Sequence, residues 1–263
     1  AARCVNRDGA LDLYRFIPGV DRTLNAVPEG VWDGALVCDC ADADRIGDPL
    51  QGEIMALPQV INIDHHFSNT RFGTLNWVRG EACSTSELIF DLLGELGVDP
   101  DWEIAEALLA GVIADTGMFR YSSVSARTFE IAAILTRAGA RPHEIGRRLY
   151  GDRRPAAVQL QAEALRGIEL DFEGRLALVV VTEEMLKRFG ATAEDCENLV
   201  EAARDVAGVL IAAAIRRQEG LWKVSLRSKD PGLDVAAIAA HFGGGGHRQA
   251  AALRWRAGLE ELV

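Results

Sequence analysis

Positive charge is scarce in this chain. Lys and Arg number 28 against 39 Asp and Glu, a formal net charge of −11 over 263 residues. A broad electrostatic grip on long nucleic acid needs many Lys and Arg on phosphates, and this balance argues against one. A small acidic substrate stays open if cations are concentrated locally or if metal ions supply the charge. No apolar run reaches the roughly 18 residues needed to span a bilayer. No charged stretch followed by an apolar leader segment opens the sequence. Cysteine is sparse, odd in number and scattered, at Cys4, Cys38, Cys40, Cys83 and Cys196. That argues against a disulfide framework and fits a reducing cytoplasm. Cys38 and Cys40, two apart in a strand pattern, read as small core residues on one face. Internal repeats and low-complexity tracts are also missing. Hydrophobic residues make up 49% of the chain, enough to core one large domain or two modest ones.

The apolar pattern gives the organisation. "WDGALVCDC" (32–40) and "PQVINIDHH" (58–66) are short apolar runs ending in acid, so they read as buried strands. A helical stretch lies between them, and strand–helix–strand suggests a parallel sheet. Helices follow over 83–97, 101–117 and 125–140, the first with a Ser/Thr start, and the first and last with Gly stops at Gly97 and Gly139. A charged helical segment interrupted by Pro155 then reads as a linker. Beyond it, "GRLALVVVT" is a strand, a helix runs from about Glu194 to Ala207, and "VLIAAAIRR" and "LWKVSLRS" are strands joined by "QEG". The helix "DVAAIAAHF" leads into "GGGGHRQAAAL". The expected fold is α/β: a parallel-sheet domain with flanking helices over 1–150, and a linker helix with a smaller α+β domain over 151–263.

The polar groups of the first half gather at element ends. Asp39 ends the first strand, Asp64, His65 and His66 end the second, and Asp115 ends the apolar helix. Any one of these alone is most simply a cap or turn residue. In open parallel sheets, sites form outside the carboxyl ends of the strands, so together they read as a convergent site. Two carboxylates with one or two imidazoles, and no ligand-like cysteine, suit Mn²⁺ or Mg²⁺ better than structural zinc. In the second half, "FGGGGHRQAAA" (242–252) reads as a loop whose free N–H groups approach an anion at a helix start, with His247 at its edge. Arg227, Ser228 and Lys229 in "SLRSK" read as the wall of a phosphate pocket, since Arg suits bidentate phosphate recognition. The plainer alternatives are a flexible glycine loop and a charged surface strand.

Asp39 in "VCDCADADR", "DHH" at 64–66, "ADTGMFRYSS" at 114–123 and "GGGGH" at 243–247 together resemble the DHH/DHHA1 phosphoesterase family, in its short bacterial branch of nanoRNases with pAp phosphatase activity. The resemblance runs over nearly the whole chain and keeps the motif order. It implies a DHH domain with two Mn²⁺ ions (Mg²⁺ as the alternative) and a DHHA1 domain that holds the nucleotide. Carried onto this sequence, Asp39, His65 and Asp115 are metal ligands. His66 faces the phosphate, Asp64 orients an imidazole, and Thr116, Gly117 and Arg120 shape the floor. Arg227, Ser228, Gly245, Gly246 and His247 form the nucleotide site. The implied substrates are short RNA oligonucleotides, pAp and linear products of cyclic dinucleotides, cut in the cytoplasm by water attacking in line at phosphorus. Apolar helix faces would permit a homodimer.

The family's first motif, a His followed shortly by Asp-x-Asp and Gly-Ser, has no counterpart here, and Asn6 and Asp8 do not replace it. The expectation is a segment preceding Ala1 that carries it. A pyrophosphate-splitting cousin would lack GGGGH, and a RecJ-type single-strand DNA exonuclease needs more residues for its added domains. A non-enzymatic nucleotide-binding or regulatory module with an incomplete metal site is the remaining alternative.

Overall fold

The computed structural model describes residues 2–218 and 220–256, with the side chains of Gln218 and His247 outside that description. The chain divides into two compact units, Ala1–Asp152 and Arg153–Val263.

In the first unit, β1 (Ala35–Cys38), α1 (Leu50–Met55), β2 (Val60–Asp64) and β3 (Leu75–Val78) form a parallel sheet in the order β1-β2-β3. The expected strand–helix–strand unit is there. The strand β3, which carries no clear alternation, is added by pairing to β2. Thr74 Oγ1 pins its start, accepting from Val60 N and donating to Val60 O, both at 2.9 Å. The helices α2 (Thr85–Glu95), α3 (Trp102–Asp115), α4 (Ala126–Arg137) and α5 (Pro142–Tyr150) complete the unit. Asp101 caps α3 by accepting from Ile104 N, and a Ser125/Thr128 capping box opens α4. As its all-round apolar pattern requires, α3 is central: Ala105, Leu109 and Val112 are fully buried. Its buried Glu106 accepts from the backbone N and the guanidinium of Arg141, which fixes the start of α5.

The end of β1 is tied by one side chain. Asn62 on β2 is fully buried, and its amide donates to Val37 O and Cys40 O, each at 3.2 Å. Its Oδ1 accepts from Asn69 at 2.9 Å. Between those two carbonyls the chain turns sharply at Asp39, whose φ is +57°. This turn corrects the reading of the cysteines. The strand ends at Cys38, the backbone reverses at Asp39, and Cys38 is left exposed while Cys40 is buried, so the two do not share a face.

The second unit contains α6 (Pro155–Arg166), β4 (Glu169–Asp171), β5 (Leu176–Val181), α7 (Glu183–Phe189), α8 (Leu199–Arg204), β6 (Ile211–Gln218), β7 (Leu221–Ser228), α9 (Val235–His241), β8 (Gly245–His247) and β9 (Ala250–Trp255). The strands form one sheet ordered β4-β5-β6-β7-β9-β8, antiparallel except for β5 with β6. Residues of α6 and α8 pack with Ala177, Val179 and Ala212 on one face, and α9 packs with Val224, Leu226 and Leu253 on the other. The helix read from Glu194 to Ala207 is split. Asp195 accepts from Thr192 N and Oγ1 within a 3-10 turn over Glu194–Cys196, which brings Cys196 to the core before α8 begins at Leu199. Among the described residues, no helix is long and apolar enough to cross a membrane.

Removing the Asn62 amide takes a donor from Val37 O and Cys40 O, of which Cys40 O keeps Asn69, and takes the Oδ1 acceptor from Asn69, all in a dry interior. Asn62→Ala is expected to lower stability by about 1–3 kcal/mol in urea unfolding. A change of a few tenths, as at an exposed site, would show that the tie between β1 and β2 is dispensable.

Candidate active site

The carboxyl ends of β1 and β2 lie side by side, with Cys38 paired to Ile63 and Asp39 N donating to Ile63 O at 3.0 Å. This brings Asp39 to the residues that follow β2. His65 Nε2 lies 3.6 Å from Asp39 Oδ1 and 3.6 Å from Asp115 Oδ2. His66 Nδ1 lies 3.9 Å from Asp39 Oδ1. Asp39, His65 and His66 each offer a ligand atom within 4.8 Å of the others. Four of the expected residues, from three elements, are thus assembled in one place.

Each imidazole is held in a defined state. His65 Nδ1 is 3.2 Å from Ala82 O, which can only accept, so the proton sits on Nδ1 and Nε2 is left facing the two carboxylates. Nδ1 of the buried His66 is 2.6 Å from Oδ1 of the fully buried Asp64, which fixes the orientation of that ring. A histidine whose far nitrogen is fixed by a carbonyl or carboxylate is the usual arrangement behind a metal ligand. Burial pushes the Asp64 carboxyl up, but the hydrogen bonds from His66 and Asn69 outweigh it and hold the group below the ordinary aspartate range. Burial first, and then the charge of Asp39, pushes Asp115 up to about 6. The donor set is oxygen-rich, imidazole-bearing and short of positive charge, so it fits a divalent cation.

Several groups that shape this site were not anticipated. Thr85 Oγ1 donates to Asp39 Oδ1 at 2.9 Å and sets that carboxylate at the first turn of α2, where the helix dipole favours it. Asn69 Nδ2 reaches Asp64 Oδ2 at 2.6 Å. "CSTSE" signals only a helix start in the sequence, and "FSNT" only a turn. After Asp115, Gly117, Met118 and Phe119 are all left-handed, with φ of +54°, +60° and +62°. Two consecutive non-glycine residues in that region are strained, a feature that clusters at functional loops. Thr116 Oγ1 stabilises the turn by donating to Val112 O and accepting from Phe119 N. Arg120 is exposed and its Nε donates to Gly117 O at 2.8 Å.

The expected nucleotide residues in the second unit have other contacts. Arg227 Nε donates to Glu201 Oε1 at 2.6 Å. Ser228 is buried, and its hydroxyl donates to Asp230 O and accepts from Asp230 N. The glycine run does not open a helix. Gly245–His247 is the strand β8, hydrogen-bonded to β9, and a Cβ on Gly244 would lie 2.3 Å from Ala252 O. Gly246 has φ +149°, and its Cβ would lie 2.4 Å from Ala250 O. These two glycines are required by the close approach of backbone across a tight hairpin. The side chain of His247 lies outside the described residues. Its backbone shares a register row with Ala250 and Arg227.

The DHHA1 domain family matches residues 176–262. Over 239 residues the chain is 34% identical to the bifunctional oligoribonuclease and PAP phosphatase NrnA of Thermus thermophilus, spanning 90% of this chain and 70% of that protein. Against the protein of the same name from Bacillus subtilis the identity is 29% over 231 residues, spanning 86% of this chain and 71% of that one. Among solved structures, an exopolyphosphatase-related protein from Bacteroides fragilis matches with a TM-score of 0.88 at 26% identity, over 98% of this chain and 79% of that chain.

The sign of the Asp115 shift sets a stability prediction. The native state keeps the Asp115 proton up to about pH 6, whereas the unfolded chain releases it near 3.8. Metal-free protein therefore loses stability as pH rises through that window and bears the full cost of the ionised group above it. Asp115→Asn is expected to raise the Tm of EDTA-treated protein at pH 7.5 and to change it little at pH 4. An equal shift at both pH values would show that ionisation of this carboxyl is not what strains the site.

Proposed function

The chain belongs to the family of bifunctional oligoribonucleases and PAP phosphatases, and we propose that it hydrolyses very short RNA oligonucleotides to mononucleotides and removes the 3′-phosphate of pAp. The observation that carries this reading is the meeting of Asp39, His65 and Asp115 around one imidazole nitrogen at 3.6 Å, each tautomer fixed from behind. Asp39, His65 and Asp115 would hold divalent ions, Mn²⁺ in preference to Mg²⁺, as part of the two-ion set the family resemblance implies. When bound, the ions supply the charge that acidifies water and neutralises the attacked phosphoryl group.

The remaining work falls to side chains. His66, braced by buried Asp64, turns Nε2 toward the phosphoryl oxygens and steadies charge that grows on them in the transition state. Thr85 keeps Asp39 in its strained turn, and Arg120 with Thr116 and Gly117 shapes the substrate floor. In the second unit, Arg227, Ser228, Gly245, Gly246 and His247 hold one end of the nucleotide. Gripping a few nucleotides, and not a long backbone, reconciles RNA cleavage with a net charge of −11. Linear products of cyclic dinucleotides present the same bonds. The enzyme acts in the cytoplasm, and exposed Phe129 and Ile134 on α4 are compatible with a homodimer.

Activity should appear with Mn²⁺ on di- to pentaribonucleotides and on pAp, fall steeply on long RNA, and vanish on dialysis against EDTA. Equal rates on a long RNA and a dinucleotide would count against the length limit. His65→Ala and Asp39→Asn should abolish Mn²⁺ binding in calorimetry. His66→Ala should lower kcat by roughly 10²-fold or more, the scale for a lost charge-stabilising donor, with the ions still bound. Wild type that binds one ion or none and turns over no substrate would support a nucleotide-binding module in place of an enzyme.

A further inference from the structure

Arg216 on β6 lies directly opposite Lys223 on β7, and Lys223 lies directly opposite Arg254 on β9. Directly opposed side chains on antiparallel strands have Cβ atoms about 4.5–5.5 Å apart, and like charges there repel. A row chosen for stability alone would have an acid in its middle position. Other arginines of this unit do find carboxylates: Arg204 and Arg227 meet Glu201, Arg154 meets Asp195, and Arg188 meets Glu163. Among the described residues, Arg216, Lys223 and Arg254 form no ion pair. Arg216 adds a second oddity. Its Nη1 is buried and has no hydrogen-bond partner, a state that calls for an acceptor. Lys223 shows the strain of the row: burial first, then Arg216, Arg254 and Arg227 hold it below the ordinary lysine range, against the opposing pull of Glu197.

The surrounding register makes a floor. Alternation puts Lys223, Ser225 and Arg227 on one face of β7, while Val224 and Leu226 face the core under α9. Between the Lys223 row and the Arg227 row lies a row of small residues: Ala214, Ser225, Ala252 and Gly245. Four residues of strand separate the two charged rows by about 14 Å. Small residues with cations at each end suit an extended, doubly charged ligand, and Ala214 at the β6 edge of the row packs against the core under α6 and α8. Two arginines offer planar, bidentate donors and the lysine a point charge between them.

We propose that Arg216, Lys223 and Arg254 form an anion subsite that holds a second phosphate of the short nucleotide, at the far end of the small-residue floor from Arg227. This rests on reading the second unit as the substrate-binding domain. The row thereby trades folding stability for phosphate affinity, and bound phosphate supplies the acceptor that Arg216 Nη1 lacks.

The test uses the full chain, held in EDTA so that nothing turns over, and titrated with a triribonucleotide over a salt series. Arg254→Ala and Lys223→Met should each weaken Kd roughly tenfold and reduce the slope of log Kd against log salt by about 0.7, the value for one lost contact to a single strand. Arg254→Lys, which keeps the charge, should retain most of the affinity. Lys223→Met should also raise the Tm of ligand-free protein, because it removes the charge pressed between two arginines; a lysine with a purely structural role would lower it. Unchanged Kd and slope in Arg254→Ala and Lys223→Met would overturn the subsite. Inorganic phosphate binding as tightly as the trinucleotide would overturn its assignment to substrate. Should wild type not bind the trinucleotide, the substrate-domain reading fails, and tripolyphosphate decides the subsite: a Tm rise that Lys223→Met abolishes sustains it, and no rise overturns it.

Discussion

Uncompensated negative charge at the strand ends is the constraint around which the first unit is arranged. Asp39 and Asp115 converge on one nitrogen of His65, and among the described residues their ion pairs run only to histidine. Two carboxylates this close, partly out of water, interact far more strongly than they would in bulk solvent. Burial first, and then the charge of Asp39, raises Asp115 to about 6. Such a cluster relaxes by gaining protons or by gaining a cation. The imidazoles cannot readily rotate to help, since each is already tethered by Nδ1. The arrangement is thus prepared for a divalent ion before one arrives, and the proposed phosphoester chemistry follows from that preparation.

Holding the cluster takes more polar machinery than the ligands themselves. Asn62 joins the end of β1 to β2, Asn69 joins Asn62 to Asp64, and Asp64 braces His66. Every step is a hydrogen bond in a dry setting, where a satisfied network is rigid and a broken one is costly. The strained φ of Asp39 persists because Asn62 grips the carbonyls on both sides of it and Thr85 grips its carboxylate. Of the left-handed non-glycine residues, Asp39, Met118 and Phe119 sit where two chain segments deliver groups to the same point, while Arg71, Asp152, Phe172 and Glu173 lie in loops and turns elsewhere.

The parts of this site that sequence revealed are those where chemistry interrupts an apolar pattern. An acid closing a buried strand, or a His pair after one, is conspicuous because burial there would otherwise be penalised. Asp39, Asp64, His65, His66 and Asp115 stood out for that reason, and the parallel pairing of β1 with β2 explains how residues so far apart meet. Thr85, Asn62 and Asn69 did not stand out. Their residue types are ordinary in caps and turns, and their roles exist only once β1, β2 and α2 are assembled. The glycine run misled for a related reason. Glycine serves equally for a loop that opens a helix and for backbones that nearly touch, and the pairing of β8 with β9 shows the second. The helix expected over 194–207 failed where Asp195 turned back to Thr192, a local hydrogen bond that outcompeted helical propensity.

The second unit poses the opposite electrostatic problem. A chain of net charge −11 has acids to spare, yet Lys223 sits between two arginines while Glu201 is shared by Arg204 and Arg227. Carboxylates are therefore distributed unevenly with respect to the cations. Where Glu201 is present, Arg227 is preorganised but its charge is already answered, so an incoming phosphate must compete with a carboxylate for it. Among the described residues the Arg216–Lys223–Arg254 row has no carboxylate in ion-pair contact, and only the more distant Glu194 and Glu197 act on it. An anion is drawn more strongly to an unanswered charge than to a paired one, because no existing contact is lost when it arrives. By that reasoning the proposed subsite lies on the row that the motif pattern does not mark, whereas the Arg227 guanidinium is already oriented and answered by Glu201.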